Sequence, residues 1–242
     1  MDDTTTPDGA GPVTVTVTDG VAVIDLEDGK ANALGFDVLA GLESALDRAE
    51  ADDVSAVVIV GREGKFSAGF DLKVMTSGPE GARDMLGRGA LLGLRMYMFP
   101  KPVVLAVTGH ALAMGAILLC CADVRVGADG PFKIGLNEVA IGMPVPGFAV
   151  GICQDRLAIP AFTAAIQLAR IHSPAEALAA GFLDEVVDVA AVRDRAVEVA
   201  AELGTRLHRG PFRVTRETVR GPVAERLRSE LAADLSVFDV SS

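Results

Sequence analysis

Short β-rich runs alternate with helical stretches along most of this chain, and after the last such run only helical patterning remains. That alternation confines the fold to the α/β class, because strands fed by intervening helices are brought together in a parallel sheet. Residues 13–18 read V-T-V-T-V-T, Asp19 and Gly20 form a turn, and residues 21–26 read V-A-V-I-D-L, which predicts a β-hairpin. A helix is expected over 36–49 from the spacing of Val38, Leu39, Leu42 and Leu46, then a strand over 54–60, then a helix over 79–98 stopped by Pro100 and Pro102. Strands at 103–107 and 123–127 flank a buried helix at 112–121. Helices follow at 147–157, 161–169 and 174–180, then a last strand at 183–187. Residues 192–207 and 223–235 read as amphipathic, charge-rich helices, an arm that packs on the body or on a neighbouring copy.

Such alternation ordinarily suggests a doubly wound nucleotide-binding sheet. No G-x-G-x-x-G follows any strand, however, and no G-x-x-x-x-G-K-[ST] occurs. At 242 residues the chain suits one large domain, or one domain with a helical appendage. Aromatic residues make up 5% and Trp is absent, so the core is built from Ala, Val, Leu and Ile. The net charge of −11 argues against non-specific binding to nucleic acid or an anionic membrane, while leaving room for a phosphate-bearing ligand at a local basic patch. Cys120, Cys121 and Cys153 form no metal or redox spacing and read as small core residues in a reducing compartment. Residues 1–12 are polar and acidic, unlike a signal peptide, and read as a disordered tail. No membrane span is evident, and a cytoplasmic location is expected.

Three glycine-bearing segments carry the chemistry: A-G-F-D-L-K at 68–73, G-H-A-L-A-M-G at 109–115 and N-E-V-A-I-G at 137–142. Small residues at the first two let the backbone approach a ligand and aim N–H groups at a developing oxyanion, although each glycine could equally serve a turn or close packing. The third sets one carboxylate, Glu138, among Ile134, Leu136, Val139 and Ile141. A desolvated carboxylate has a raised pKa and shuttles protons near neutrality; an exposed strand-end or helix-cap glutamate is the alternative. Other chemistries fare worse. Ser67 is not in G-x-S-x-G, and His110, His172 and His208 are too scattered for a catalytic triad or a zinc site. His172 and His208 read as surface residues, and His110 as structural.

Taken together and in this order, the three segments resemble the crotonase superfamily of enoyl-CoA hydratases and isomerases, from about residue 13 to about residue 187, and Asn32-Ala33-Leu34 fits as well. The resemblance implies a crotonase-like spiral of ββα units over 13–189, a C-terminal helical region over 190–242, and assembly as homotrimers or as hexamers of two trimers. It implies oxyanion N–H groups at Phe70 and Met114, where many relatives carry three glycines around the second donor. Lys30, Ala31, Ala68, Asp71 and Leu72 match positions lining the site for the adenine and pantetheine of coenzyme A, with Lys73 as a phosphate contact. The implied ligand is an acyl-CoA thioester; CoA belongs to the substrate, and no separate cofactor or metal is expected.

Hydratases of this superfamily use two glutamates. Here the second matches Glu138, whereas the first falls on Ile117, which can neither orient water nor exchange a proton. A one-base reaction is still complete: Glu138 removes a proton at C2 of a 3-enoyl thioester and returns it at C4, and exclusion of water suppresses hydration. The run F-K-I-G-L-N-E at 132–138, with Pro146 four residues beyond Gly142, resembles the Δ3-Δ2 enoyl-CoA isomerase branch, which also has an aliphatic residue at the first acid position. Two rivals remain at this stage: a hydratase recruiting its second acid from elsewhere, and a non-catalytic acyl-CoA binder.

Overall fold

The computed structural model describes residues 11–237; residues 1–10 of the expected tail lie outside them. The chain begins with β1 (Val13–Thr18) and β2 (Val21–Leu26), paired antiparallel through a turn in which Asp19 and Gly20 take φ of 50° and 79°. Two consecutive positive φ values give the tight turn whose twist matches that of the strands it joins. Next come β3 (Ala33–Leu34), α1 (Phe36–Ala49), β4 (Ala56–Val60), β5 (Gly64–Ser67), β6 (Gly69–Phe70), α2 (Leu72–Met75) and α3 (Pro79–Tyr97). They are followed by β7 (Val103–Val107), β8 (Gly109–Leu112), α4 (Met114–Cys121), β9 (Val124–Ala128) and β10 (Ile134–Gly135). The remainder is α5 (Gly147–Arg156), α6 (Ile159–Ile166), α7 (Pro174–Ala180), β11 (Glu185–Val187), α8 (Val192–Arg206) and α9 (Arg209–Val237).

A six-stranded sheet has the order β1-β2-β4-β7-β9-β11 and is parallel except at its first pair. Two small parallel sheets accompany it, β10-β8-β5 and β3-β6. The chain repeats one unit: a strand in the large sheet, a short strand in a small sheet, then a helix. β2-β3-α1, β4-β5-β6-α3, β7-β8-α4 and β9-β10-α5 are four such turns of a ββα spiral, the crotonase-like fold that the resemblance implied. Gly61 permits one of the transitions, because a Cβ there would lie 2.5 Å from the Phe66 Cα.

The large sheet is covered on both faces, which is why β4 (A-V-V-I-V) and β7 (V-V-L-A-V) read as unbroken apolar runs. Val57, Ile59, Val103 and Leu105 face the main core with Leu39, Leu42 and Leu46 of α1. Val58, Val60, Val104, Ala106 and Val126 face Val192, Ala196, Val199 and Ala200 of α8. In the described residues α8 is therefore one of the sheet's two covering layers.

The helix expected at 223–235 is the second half of a longer one. α9 runs through Gly221 and Pro222 although Pro222 has no N–H for the helical ladder. Tertiary anchoring outweighs the local breakers: the Arg216 guanidinium reaches both Asp123 carboxylate oxygens at 2.6 Å and the Phe99 carbonyl at 2.7 Å. One turn on, Arg220 donates to the Tyr97 carbonyl at 2.9 Å.

Candidate active site

The first two glycine-bearing segments meet backbone to backbone. Gly69 has φ +90°, and a Cβ built on it would lie 2.8 Å from the Ala113 Cβ, 3.0 Å from the Leu112 carbonyl oxygen and 3.2 Å from the Met114 nitrogen. Gly115 is equally constrained, since its Cβ would lie 2.6 Å from the Ser67 carbonyl oxygen. Between them, Ala113 holds φ 50° and ψ −127°, a conformation strained for any residue but glycine. That turn ends β8 and starts α4 at Met114, two residues later than the helix expected from 112. The N–H groups of a helix's first turn have no intrahelical acceptor, so the start at Met114 leaves its amide available to a ligand. Phe70 lies just beyond Gly69 in β6.

The third segment is tied to this junction. The Ala113 amide donates to the Gly135 carbonyl at 3.0 Å, two residues before Asn137. Glu138 then opens a 3-10 turn over Val139–Ile141, and its carbonyl accepts from the Met143 amide at 2.9 Å. Ile134 and Leu136 upstream are buried, whereas Val139 and Ile141 downstream are 47% and 52% exposed. The apolar run around Glu138 is thus core on one side and outer loop on the other, contrary to a uniform apolar setting.

Two glycines that the sequence reading passed over complete the arrangement. A Cβ on Gly89 of α3 would lie 2.3 Å from the Phe70 ring, and the Met114 methyl lies 3.6 Å from such positions on both Gly89 and Gly93. The signal was legible as four glycines, Gly81, Gly87, Gly89 and Gly93, inside one helix where glycine is unfavourable.

The three segments enclose a cavity of about 100 Å³ lined by Phe70, Ala113, Ile117, Asn137 and Glu138, with an otherwise apolar wall from Met75, Leu86, Ile141 and Met143. Ala68 and Leu72 also line it. Glu138 is 6% exposed, and burial raises its pKa to about 7. Its Oε2 atom and the Asn137 Oδ1 atom are buried without a hydrogen-bond partner. Orphaned buried acceptors are rare in folded proteins, and two on one cavity wall mark a place for a ligand. Glu138 is the one carboxylate among the described lining residues, and Ile117 of α4 shares the cavity with it.

Lys30, Ala31, Asp71 and Lys73 line a separate, open cleft of about 600 Å³, bordered also by Phe36 and Val38. The segment 68–73 therefore serves both spaces. The loop that carries Lys30 and Ala31 is anchored by Asn32, which is fully buried: its side-chain amide donates to the Leu26 carbonyl at 2.7 Å, and its backbone carbonyl accepts from the Ser67 hydroxyl at 2.7 Å.

The histidines divide. His110 accepts from the Lys133 amide at 2.9 Å and meets Phe132 edge-on, a structural role as expected, and His208 is exposed. His172 is not a surface residue: it is 4% exposed, its backbone pairs with Ile134, and its ring packs on Phe182. All three cysteines are buried free thiols.

The family model described as enoyl-CoA hydratase/isomerase matches residues 16–241. The mouse mitochondrial enoyl-CoA delta isomerase 1 is 33% identical over 224 residues, covering 90% of this chain and 77% of the relative. A probable enoyl-CoA hydratase of Bacillus subtilis is 38% identical over 140 residues, covering 57% of this chain and 54% of the relative. Among solved structures, an enoyl-CoA hydratase/isomerase family protein of Pseudomonas syringae superposes with a TM-score of 0.91 at 39% identity, covering 94% of this chain and 98% of that one.

Proposed function

The chain belongs to the enoyl-CoA hydratase/isomerase family, and we propose that within it the reaction is the shift of an enoyl-CoA double bond from position 3 to position 2. The observation that carries this reading is the pairing of Glu138, the sole described carboxylate on the cavity wall, with Ile117. Hydration through two carboxylates needs a second group to orient water, and the sec-butyl side chain of Ile117 supplies none.

In this reading the thioester carbonyl accepts from the Phe70 and Met114 amides. Glu138 takes a proton from C2, the electrons move into a dienolate whose oxyanion the two amides stabilise, and the same carboxyl delivers the proton to C4. Each amide donor contributes about 3 kcal/mol to the transition state. A carboxyl with a pKa of about 7 suits both halves, since it accepts and returns a proton without a large energetic step either way. The Phe70 and Met114 side chains, seated on Gly89 and Gly93, hold the donors in place. The open cleft takes the CoA moiety, with Lys30, Ala31 and Asp71 along the adenine and pantetheine, Lys73 near phosphate, and Ala68 and Leu72 where the thioester arm passes inward. Assembly is proposed as three or six copies, which sedimentation reads directly.

Purified protein is incubated separately with 3-enoyl-CoA and 2-enoyl-CoA; isomerisation, which leaves the mass unchanged, is followed by the ultraviolet absorbance of the conjugated thioester, and hydration by the added mass of water. Conjugated 2-enoyl-CoA from the first substrate is expected. Fast hydration of the second without isomerisation of the first assigns the chain to the hydratases, and binding without turnover of either makes it an acyl-CoA binder. Glu138→Gln is expected to lower turnover about a thousandfold while leaving CoA-ester affinity within a few fold; retained turnover moves the base elsewhere.

A further inference from the structure

The wall segment that carries Glu138 is held at its two ends by different parts of the chain. At its start, the Met143 and Ile141 amides close back on the Glu138 carbonyl at 2.9 and 3.0 Å. Residues 141–146 then supply Ile141, Met143, Pro144 and Pro146 to the cavity before α5 begins at Gly147. The opening of α5 has no cap from its own flank, because Pro146 has no side-chain acceptor. Its cap comes from 87 residues away: the Asp234 carboxylate of α9 accepts from the Gly147 amide at 2.9 Å and from the Phe148 amide at 3.1 Å. A carboxylate on a helix's first amides is a charge-assisted contact, favoured also by the helix dipole. Space for it is reserved, since a Cβ on Gly147 would lie 3.0 Å from the Asp234 Oδ1 atom. The neighbouring Leu235 touches α3 at Gly87, beside the cavity-lining Leu86.

We propose that Asp234 is a positioning residue for catalysis: by capping α5 from the end of α9, it pins the far end of the segment 138–146 and thereby fixes the Glu138 carboxyl against the cavity. The C-terminal helix is in this way part of the active site's support, although Asp234 is not among the residues lining the cavity. Displacing a catalytic group by about 1 Å lowers rates by up to about a hundredfold, so a remote anchor of this kind acts on turnover and leaves the CoA cleft, walled by other elements, untouched.

The test compares wild type with Asp234→Ala and Asp234→Asn, using amide hydrogen exchange and steady-state kinetics on 3-enoyl-CoA. In Asp234→Ala, exchange at Met143 and Ile141 is expected to quicken at least about tenfold, and kcat to fall about tenfold or more with KM for the CoA ester nearly unchanged. Asp234→Asn keeps a neutral acceptor for one amide and is expected to fall between the two. A cap of local importance only would speed exchange at Gly147 and Phe148 and leave Met143 as in wild type. That result overturns the proposal, as does faster Met143 exchange with unaltered kcat. The kinetic arm rests on the isomerase reading and the exchange arm does not. Wild-type protein inert toward 3-enoyl-CoA counts against that reading alone, and Met143 exchange then decides the role of Asp234.

Discussion

Glu138 combines two properties that oppose each other, a buried position and, as the proposed base, a carboxyl that must ionise to act. Burial raises its pKa from 4.5 to about 7, so the protonated form is favoured in the folded chain relative to the unfolded one. The stability it contributes is fully present below about pH 4.5 and is lost as pH rises through about 7, by about 3 kcal/mol in all. Glu138→Gln, besides losing turnover, is therefore expected to melt at a higher temperature than wild type at pH 8 and at nearly the same temperature at pH 4.5, as thermal denaturation at the two pH values would register. Since the base form is the ionised one, kcat/KM of wild type is expected to climb through a single ionisation near pH 7 and then level off; a flat profile between pH 5 and 9 contradicts Glu138 as the base. The acid itself was legible as a lone carboxylate in an apolar stretch. Its orphaned oxygen was not, because the residues that share its cavity come from α2, α3 and α4. His172 failed as a surface residue for the same reason: its cover, Phe182, arrives from a separate stretch of chain.

Among the elements, those that repeat a pattern several times were readable, α9 excepted, and the two-residue strands were not. The hairpin, α1, α3 and β7 follow from periodicity within a few residues of their observed ends, since each makes its pattern over several repeats. β3, β6 and β10 contain two residues each, and a two-residue strand has no period. They nevertheless set the site, for they hold Gly69, Phe70 and Gly135 in register with their neighbours. The junction they create is intolerant of bulk. Gly69→Ala puts a methyl group 2.8 Å from the Ala113 Cβ on a backbone at φ +90°, which calls for a loss of several kcal/mol in stability, or a displaced loop with turnover reduced below detection. Chemical denaturation and a turnover assay together distinguish these forms of damage, and a variant with wild-type stability and wild-type turnover contradicts the close approach.

For the whole molecule, the decisive contacts are polar and distant in sequence. Arg216 is 6% exposed, and its guanidinium is shared between Asp123 and the Phe99 carbonyl. Asp123 in turn accepts from the Val103 amide at 2.8 Å, so α9 and β7 meet on the carboxylate just before β9, while Phe99, beyond the end of α3, holds the same guanidinium. Arg220 also reaches the Asp123 carboxylate, at 3.0 Å, so removing Arg216 leaves that charge partly compensated, and Arg216→Ala is expected to lower the free energy of unfolding by about 1–3 kcal/mol. Urea denaturation reads this directly, and a change below about 0.5 kcal/mol would mean that α9 is held by its apolar face alone. Because Asp234 lies on the same helix, loosening of α9 is also expected to reach the cavity wall. The sequence by itself determined the α/β class, the order of the three glycine-bearing segments, the lone acid at Glu138 and the aliphatic residue at Ile117, all properties of local pattern and residue chemistry. Tertiary structure alone decided that α9 runs unbroken through Pro222, that α8 roofs the second face of the sheet, and that Glu138 and Ile117 share one cavity. Those outcomes depend on burial and on contacts between residues tens of positions apart, and neither leaves a trace in local periodicity.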